Sequence, residues 1–119
     1  MIDKLDDTFR FHQQALELRS FRQQLLASNI ANADTPGYQA RDIDFASTLQ
    51  AAMGGQAQAT GVVPERQVLY RTPTQPSVDG NTVEMDAERA RFADNAVRME
   101  ASLTFLNGQI KTLLAAIQG

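Results

Sequence analysis

The sequence predicts a mainly α fold: two long helices, one N-terminal and one C-terminal, forming a coiled-coil-like hairpin, with an irregular middle segment containing short strands or turns. Three observations predict it. A stripe of apolar residues in steps of four and three runs unbroken to the C-terminus. A broad apolar face recurs at helical spacing near the N-terminus. Between them are gathered all four prolines and five of the seven glycines, residues that end helices rather than continue them. The resulting division is a tail at 1–7, a core helix at 8–35, a middle segment with a flexible linker at 36–84 and a heptad helix at 85–119.

The tail reads Met1-Ile2-Asp3-Lys4-Leu5-Asp6-Asp7. It is acidic and lacks the apolar run of a secretory signal peptide. No stretch of the chain approaches the roughly 18 apolar residues that a bilayer span requires. A soluble protein without an ordinary export signal is expected.

From about Thr8 to Ala33 the pattern is helical. Phe11, Ala15, Leu18, Leu25 and Asn29 share one seam, interrupted by Arg22, and Phe9, Leu16, Leu26, Ile30 and Ala33 form a neighbouring stripe. Together they are wider than a two-helix seam needs. The surplus fits a helix that touches more than one neighbour, or one that covers the middle segment. The helix should stop in the string Ala27-Ser28-Asn29-Ile30-Ala31-Asn32-Ala33-Asp34-Thr35-Pro36-Gly37-Tyr38. Pro36 lacks a backbone N–H and pushes Thr35 out of the α region. Gly37 can take the positive φ that a turn here needs. Asn29 and Asn32, three apart, project from one face and can bond backbone groups.

In the middle segment Asp44 is placed to cap a short helix from Phe45 to Met53, apolar at Phe45, Leu49 and Ala52. Gly54 to Thr60 is composed like a linker. Val62-Val63 and Val68-Leu69-Tyr70 read as short strands and Asp79-Gly80 as a turn. The final helix carries Met85, Arg89, Phe92, Ala96, Met99, Leu103, Leu106, Ile110, Leu113 and Ile117 on one seam, nine of the ten apolar. Asp86, Glu88 and Asp94 early and Lys111 late complement the helix dipole. Asp94 and Arg98 form an i,i+4 pair. Gly108 interrupts this helix at a cost of about 1 kcal/mol relative to Ala, which a close helix approach or a slight bend would justify.

Composition removes most catalytic classes. The 119 residues include no cysteine and one histidine, His12, so neither a thiolate metal site nor a His cluster or triad can be built. A net charge of −3 supplies no basic footprint for nucleic acid. Asp42 and Asp44, two apart, are not followed by calcium-loop spacing, and with Arg41 they read as surface or intersubunit charges. No nucleophile–base pair, phosphate loop or paired catalytic carboxylates stand out, so an enzyme, a cofactor and a small-molecule substrate are not expected. Two helices with few large apolar groups between them cannot bury a broad apolar face. Such a hairpin is marginal alone and calls for packing against further copies.

The string from Ala27 to Tyr38, with its continuation Gln39-Ala40-Arg41-Asp42-Ile43-Asp44-Phe45, resembles the N-terminal signature of bacterial flagellar rod and hook proteins. A second block, Gly80-Asn81-Thr82-Val83-Glu84-Met85-Asp86 through Asp94-Asn95, resembles the start of that family's C-terminal helix, in its proximal rod subfamily of type B. With their helices the two blocks cover roughly two thirds of the chain. Type C is the nearest rival within the family. The resemblance implies a structural subunit of the proximal rod of the flagellar basal body, part of a torque-transmitting shaft, exported through the flagellum's own type III system and placed in the periplasmic space. It implies as partners other copies of the chain, other flagellar rod proteins, the adaptor that joins the rod to the membrane ring, and the export gate. Asn29, Asn32, Thr35, Pro36, Gly37 and Tyr38 would then form an assembly motif. Phe11, Leu18, Leu25, Phe92, Met99, Leu103, Leu106, Ile110, Leu113 and Ile117 would form the seam along which subunits pack. A cytosolic helical adaptor or secretion chaperone is the competing reading, and it leaves the string from Asn29 to Tyr38 unexplained.

Overall fold

The computed structural model describes residues 2–54 and 68–118. Helix α1 runs Ile2–Ala31, β1 Arg41–Asp42, α2 Phe45–Met53, β2 Leu69–Tyr70 and α3 Met85–Gln118. The described residues are mainly helical, as the spacing predicts. Of the expected linker at 54–60, Gly54 is the C-cap of α2, and the remainder, like the expected strand at Val62-Val63, lies outside the described residues.

Helix α1 begins at Ile2, six residues before the expected start at Thr8, so residues 2–7 are helix rather than tail. The acidity that marks them as unlike a signal peptide is also what a helix N-terminus favours, because its free N–H groups attract negative charge. Thr8 Oγ1 turns back onto the Lys4 carbonyl at 2.9 Å within the same turn of helix. With no glycine or proline before residue 36, α1 continues for 30 residues, about 45 Å at 1.5 Å per residue.

Helix α2 starts where expected. The Asp44 side chain accepts a hydrogen bond from the Ser47 amide at 3.3 Å, an N-cap. Strand β2 falls on the expected Val68-Leu69-Tyr70, and β1 pairs with it antiparallel, Arg41 opposite Tyr70 and Asp42 opposite Leu69. The partner strand has no β-branched run and was not legible beforehand. The turn at Asp79-Gly80 is present, with Gly80 at φ 76°.

The apolar core lies between α1 and the middle segment. Ala15, Leu18 and Leu25 of α1 pack with Ile43 and Leu49, and Phe21, Phe45, Met53 and Val68 close over them. The wide apolar face of α1 therefore covers the middle segment on one side and α3 on the other.

The α1–α3 contact is chemically different. The helices run antiparallel, placing Asn29 against Glu88, Arg19 against Asn95 and His12 against Phe105, ring centroids 4.4 Å apart. Among the described residues of α3, the buried ones are Glu88 and Asn95, neither of them on the apolar seam. Phe92, Met99, Leu106 and Leu113 are half-buried, while Leu103, Ile110 and Ile117 of the same seam are exposed. A heptad-spaced helix can carry two seams that share alternate positions. Here α3 turns toward α1 the seam that begins with Glu88 and Asn95, because those polar groups find their partners there. Its more apolar flank is left outward.

Candidate functional site

The two sequence blocks meet in space at the bend that closes the hairpin. Asn29, on the last full turn of α1, is completely buried. Its Oδ1 accepts from the Arg41 amide at 3.0 Å and the Tyr38 hydroxyl at 3.0 Å. Its Nδ2 donates to the Arg41 carbonyl at 2.8 Å and to Glu88 Oε2 at 3.2 Å. The side-chain amide thus pairs with both backbone groups of Arg41, as a neighbouring strand would, and ties α1, β1 and α3 together. Asn32 plays a local part. Its Nδ2 donates to the Ser28 carbonyl at 2.8 Å, and Thr35 Oγ1 donates to its Oδ1 at 3.2 Å.

The second block ties down the turn that follows α1. The amides of Asn32 and Ala33 close the last turn of α1, and the carbonyls of the turn beyond Ala31 need donors of their own. Asn81 Nδ2 donates to the carbonyls of Asn32, Ala33 and Thr35 at 2.9, 2.9 and 2.7 Å. Gly37 N donates to Asp79 O at 2.8 Å, Thr82 N to Tyr38 O at 2.9 Å, and Ala40 N to Thr82 Oγ1 at 2.7 Å. Gly37 has φ 73°, the left-handed region its turn was expected to need. A Cβ on Gly80 would stand 3.7 Å from the Gly37 Cα, so the two turns lie against each other. Pro36 sits exposed at the tip of the bend.

A charged relay runs through the same junction. Arg22 grips Asp42 with two bonds, 2.9 and 3.1 Å. Arg71, beside β2, pairs with both Asp42 and the buried Glu88, and Arg91 approaches Glu88 at 3.4 Å. Burial pushes the Asp42 carboxyl up, but hydrogen bonds from Arg22 and Arg71 and from the Ile43 amide outweigh it and hold its pKa below the usual carboxylate value. Asp42 is thus an internal ion-pair residue rather than a surface charge, and Asp44 is a helix cap. Farther along, Asn95 Nδ2 donates to the Arg19 carbonyl at 2.8 Å and to Gln23 Oε1 at 2.7 Å.

Chemically this arrangement fixes geometry. His12 lies between Phe11 and Phe105, away from the junction. Among the described residues no group of His, Cys, Asp and Glu could hold a metal ion. No helix among them is long and apolar enough to cross a membrane.

Five of the six motif residues enter the bonding at the bend, Pro36 being the sixth. The seam residues disperse. Leu18 and Leu25 lie in the core, Phe11 edges an open groove with Phe45, and the α3 members grade from half-buried Phe92 to exposed Ile117. Asn81, Glu88, Arg71 and Arg22 were not foreseen. Asn81 and Glu88 fall inside the second block, which was the one available signal. Nothing in sequence marks Arg71, since its partners, Asp42 and Glu88, come from two other segments.

Residues 9–39 match the model of the family described as flagella basal body rod protein. Nearly the whole chain is similar to curated proteins named flagellar basal body rod protein FlgB. The identity is 50% to that of Yersinia enterocolitica, covering 99% of this chain and 98% of the relative. It is 51% to that of Escherichia coli (strain K12), with the same coverage. It is 47% to that of Cereibacter sphaeroides (strain ATCC 17029 / ATH 2.4.9), covering 95% of each. Full-length likeness at this level, together with a bend built from both blocks, settles the membership: the chain belongs to the flagella basal body rod protein family.

Proposed function

We propose that this chain is a type B subunit of the proximal rod, a structural element that transmits torque and catalyses nothing. The observation that carries the reading is the half-identity to FlgB proteins over almost the entire length of both chains. The form of the molecule supports it. A rod 63 Å long holds its bend rigid through buried hydrogen bonds while leaving Leu103, Ile110, Leu114 and Ile117 uncovered. Exposed apolar residues at helical spacing are what a subunit offers to neighbours in an assembly.

Assembly with other rod components follows from the family. The finer partners in this reading are further copies of the chain, the adaptor joining rod to membrane ring, and the export gate. The site of action is the periplasmic stretch of the basal body, reached without a cleaved signal peptide. Electron microscopy of basal bodies from cells lacking this protein tests the reading. Membrane rings without a rod, restored by the intact gene, are expected. Complete rods and normal swimming would overturn it and bring forward a cytosolic adaptor.

A further inference from the structure

Two surface features on the α2 side of α1 meet at Phe45 and Ala46. One is an open apolar groove of about 580 Å³ edged by Phe11, Phe45, Leu49 and Met53. The other is a polar cleft of about 400 Å³ whose walls include Arg19, Arg22 and Arg98 with Asp44 and Asp94. These cations are not equivalent. Arg22 is held by Asp42 at 2.9 Å and Arg98 by Asp94 at 3.0 Å. Arg19 lies over the Phe45 ring, its guanidinium carbon 4.1 Å from the centroid, and its buried Nε has no hydrogen-bond partner among the described residues. Burial lowers the Arg19 pKa, and the charges of Arg98 and Arg22 lower it further against the smaller effect of Asp94. Arg19 is thus the one of the three cations that no carboxylate grips among the described residues, although Asp44 also lines the cleft. An apolar groove ending at such a guanidinium matches an amphipathic helix that brings an aliphatic side chain and a carboxylate together.

This chain carries one such helix end. In the first turns of α1, Asp3, Asp6 and Asp7 are exposed and so is Leu5. Asp7 is engaged by Arg10 at 3.8 Å. A molecule cannot fill its own cleft this way. Asp6 and Arg19 are thirteen residues apart on one continuous helix, about 20 Å at 1.5 Å per residue. The exposed stripe of α3 is the other apolar candidate, but residues 101–118 contain no acid. Their one charge is Lys111, which would meet Arg19 with like charge.

Resting on the rod-subunit reading, we propose that the groove and the Arg19 cleft of one copy receive the acidic N-terminal end of α1 from the next copy, Asp6 against Arg19 and Leu5 against Phe45. Donor and acceptor surfaces differ, so the contact is head-to-tail and continues as an open filament instead of closing as a dimer.

The test uses the full chain in cells lacking the native copy. Arg19→Glu and Asp6→Arg are each expected to reduce rod assembly by about tenfold or more, since each sets like charges face to face. The pair together should restore it to within a few-fold. Unchanged urea midpoints for the single variants would show that the loss is not one of folding. Normal assembly in both single variants, or no rescue in the pair, would overturn the proposal while leaving the rod function intact. Because the chain has no cysteine, a second measurement is open. Asp7→Cys with Ala46→Cys should give a ladder of disulfide-linked multimers. A dimer band alone would overturn the head-to-tail arrangement. Cross-linking of Leu114→Cys with Ala46→Cys in its place would assign the groove to the α3 stripe and overturn the proposal. Rods in cells lacking the protein altogether would instead overturn the functional reading on which it rests.

Discussion

Asn29 shows how one side chain can do the work of a strand. Its amide satisfies both backbone groups of Arg41, the Tyr38 hydroxyl and one Glu88 oxygen. Truncation leaves the two Arg41 backbone groups without partners, where each unsatisfied group costs about 1–3 kcal/mol, while Tyr38 keeps Ser28 and Glu88 keeps Arg71 and Arg91. Asn29→Ala is therefore expected to lose about 3 kcal/mol, read from the urea midpoint at constant slope. A change below 1 kcal/mol would mean that water replaces the amide. Gly37 presents a separate case. Its φ is 73° and a Cβ there would meet nothing within 4 Å among the described residues, so substitution costs backbone strain, about 1–2 kcal/mol. Gly37→Val should suffer more than Gly37→Asn, because Asn tolerates the left-handed region. Equal midpoints for the two would remove the strain explanation. The turn residues are readable from sequence because their backbone chemistry is local, whereas the Asn29 partners Arg41 and Glu88 lie 12 and 59 residues away. Asn81 is not readable in this way, since the turn carbonyls it binds lie more than forty residues away in sequence.

At the scale of elements, α3 illustrates the limit of periodicity. The heptad spacing identifies a helix and it is there, 34 residues long. The spacing cannot say which of two overlapping seams faces α1. Partner chemistry decides that: Glu88 needs Arg71, and Asn95 needs the Arg19 carbonyl and Gln23. Gly108 belongs to this element too. A Cβ there would meet nothing within 4 Å among the described residues, so no close approach among them explains the glycine. Gly108→Ala is expected to raise the stability of the isolated protein by about 1 kcal/mol, a gain of a few degrees in thermal unfolding. Impaired rod assembly by that same variant would place a neighbouring subunit against residue 108. α1 carries the complementary lesson, because its unusual apolar width is accounted for by two faces, one on the middle segment and one on α3.

At the scale of the whole molecule, the hairpin is joined by a small number of buried polar groups rather than by a continuous apolar core. This ties its integrity to carboxylate charge. Asp42 has a folded-state pKa below its unfolded value of about 3.9. Its contribution to stability is therefore fully present above pH 4 and is lost as pH falls through the lower, folded value, because the unfolded chain takes up the proton first. Urea midpoints recorded from pH 6 downward should fall below about pH 4, and Asp42→Asn should flatten that fall while lowering the plateau. A variant that keeps the full acid dependence would transfer the effect to other carboxylates, Glu84 and Asp79 among them, whose pKa values are also lowered.

The amino-acid sequence alone determined the two long helices, the breaker-rich segment between them, the Asp44 cap, the turn glycines and the family resemblance. All are properties of residues within a few positions of one another, or of a period repeated along one element. Only the tertiary structure decided that the two blocks interlock at one bend, that α1 covers the middle segment, that Asp42 and Glu88 share Arg71, and that α3 turns its more apolar flank outward. Each of these depends on which groups become neighbours after the chain folds back on itself. In a low-dielectric junction, an unpaired charge or amide costs more than an exposed leucine, so polar pairing chose the register of the hairpin.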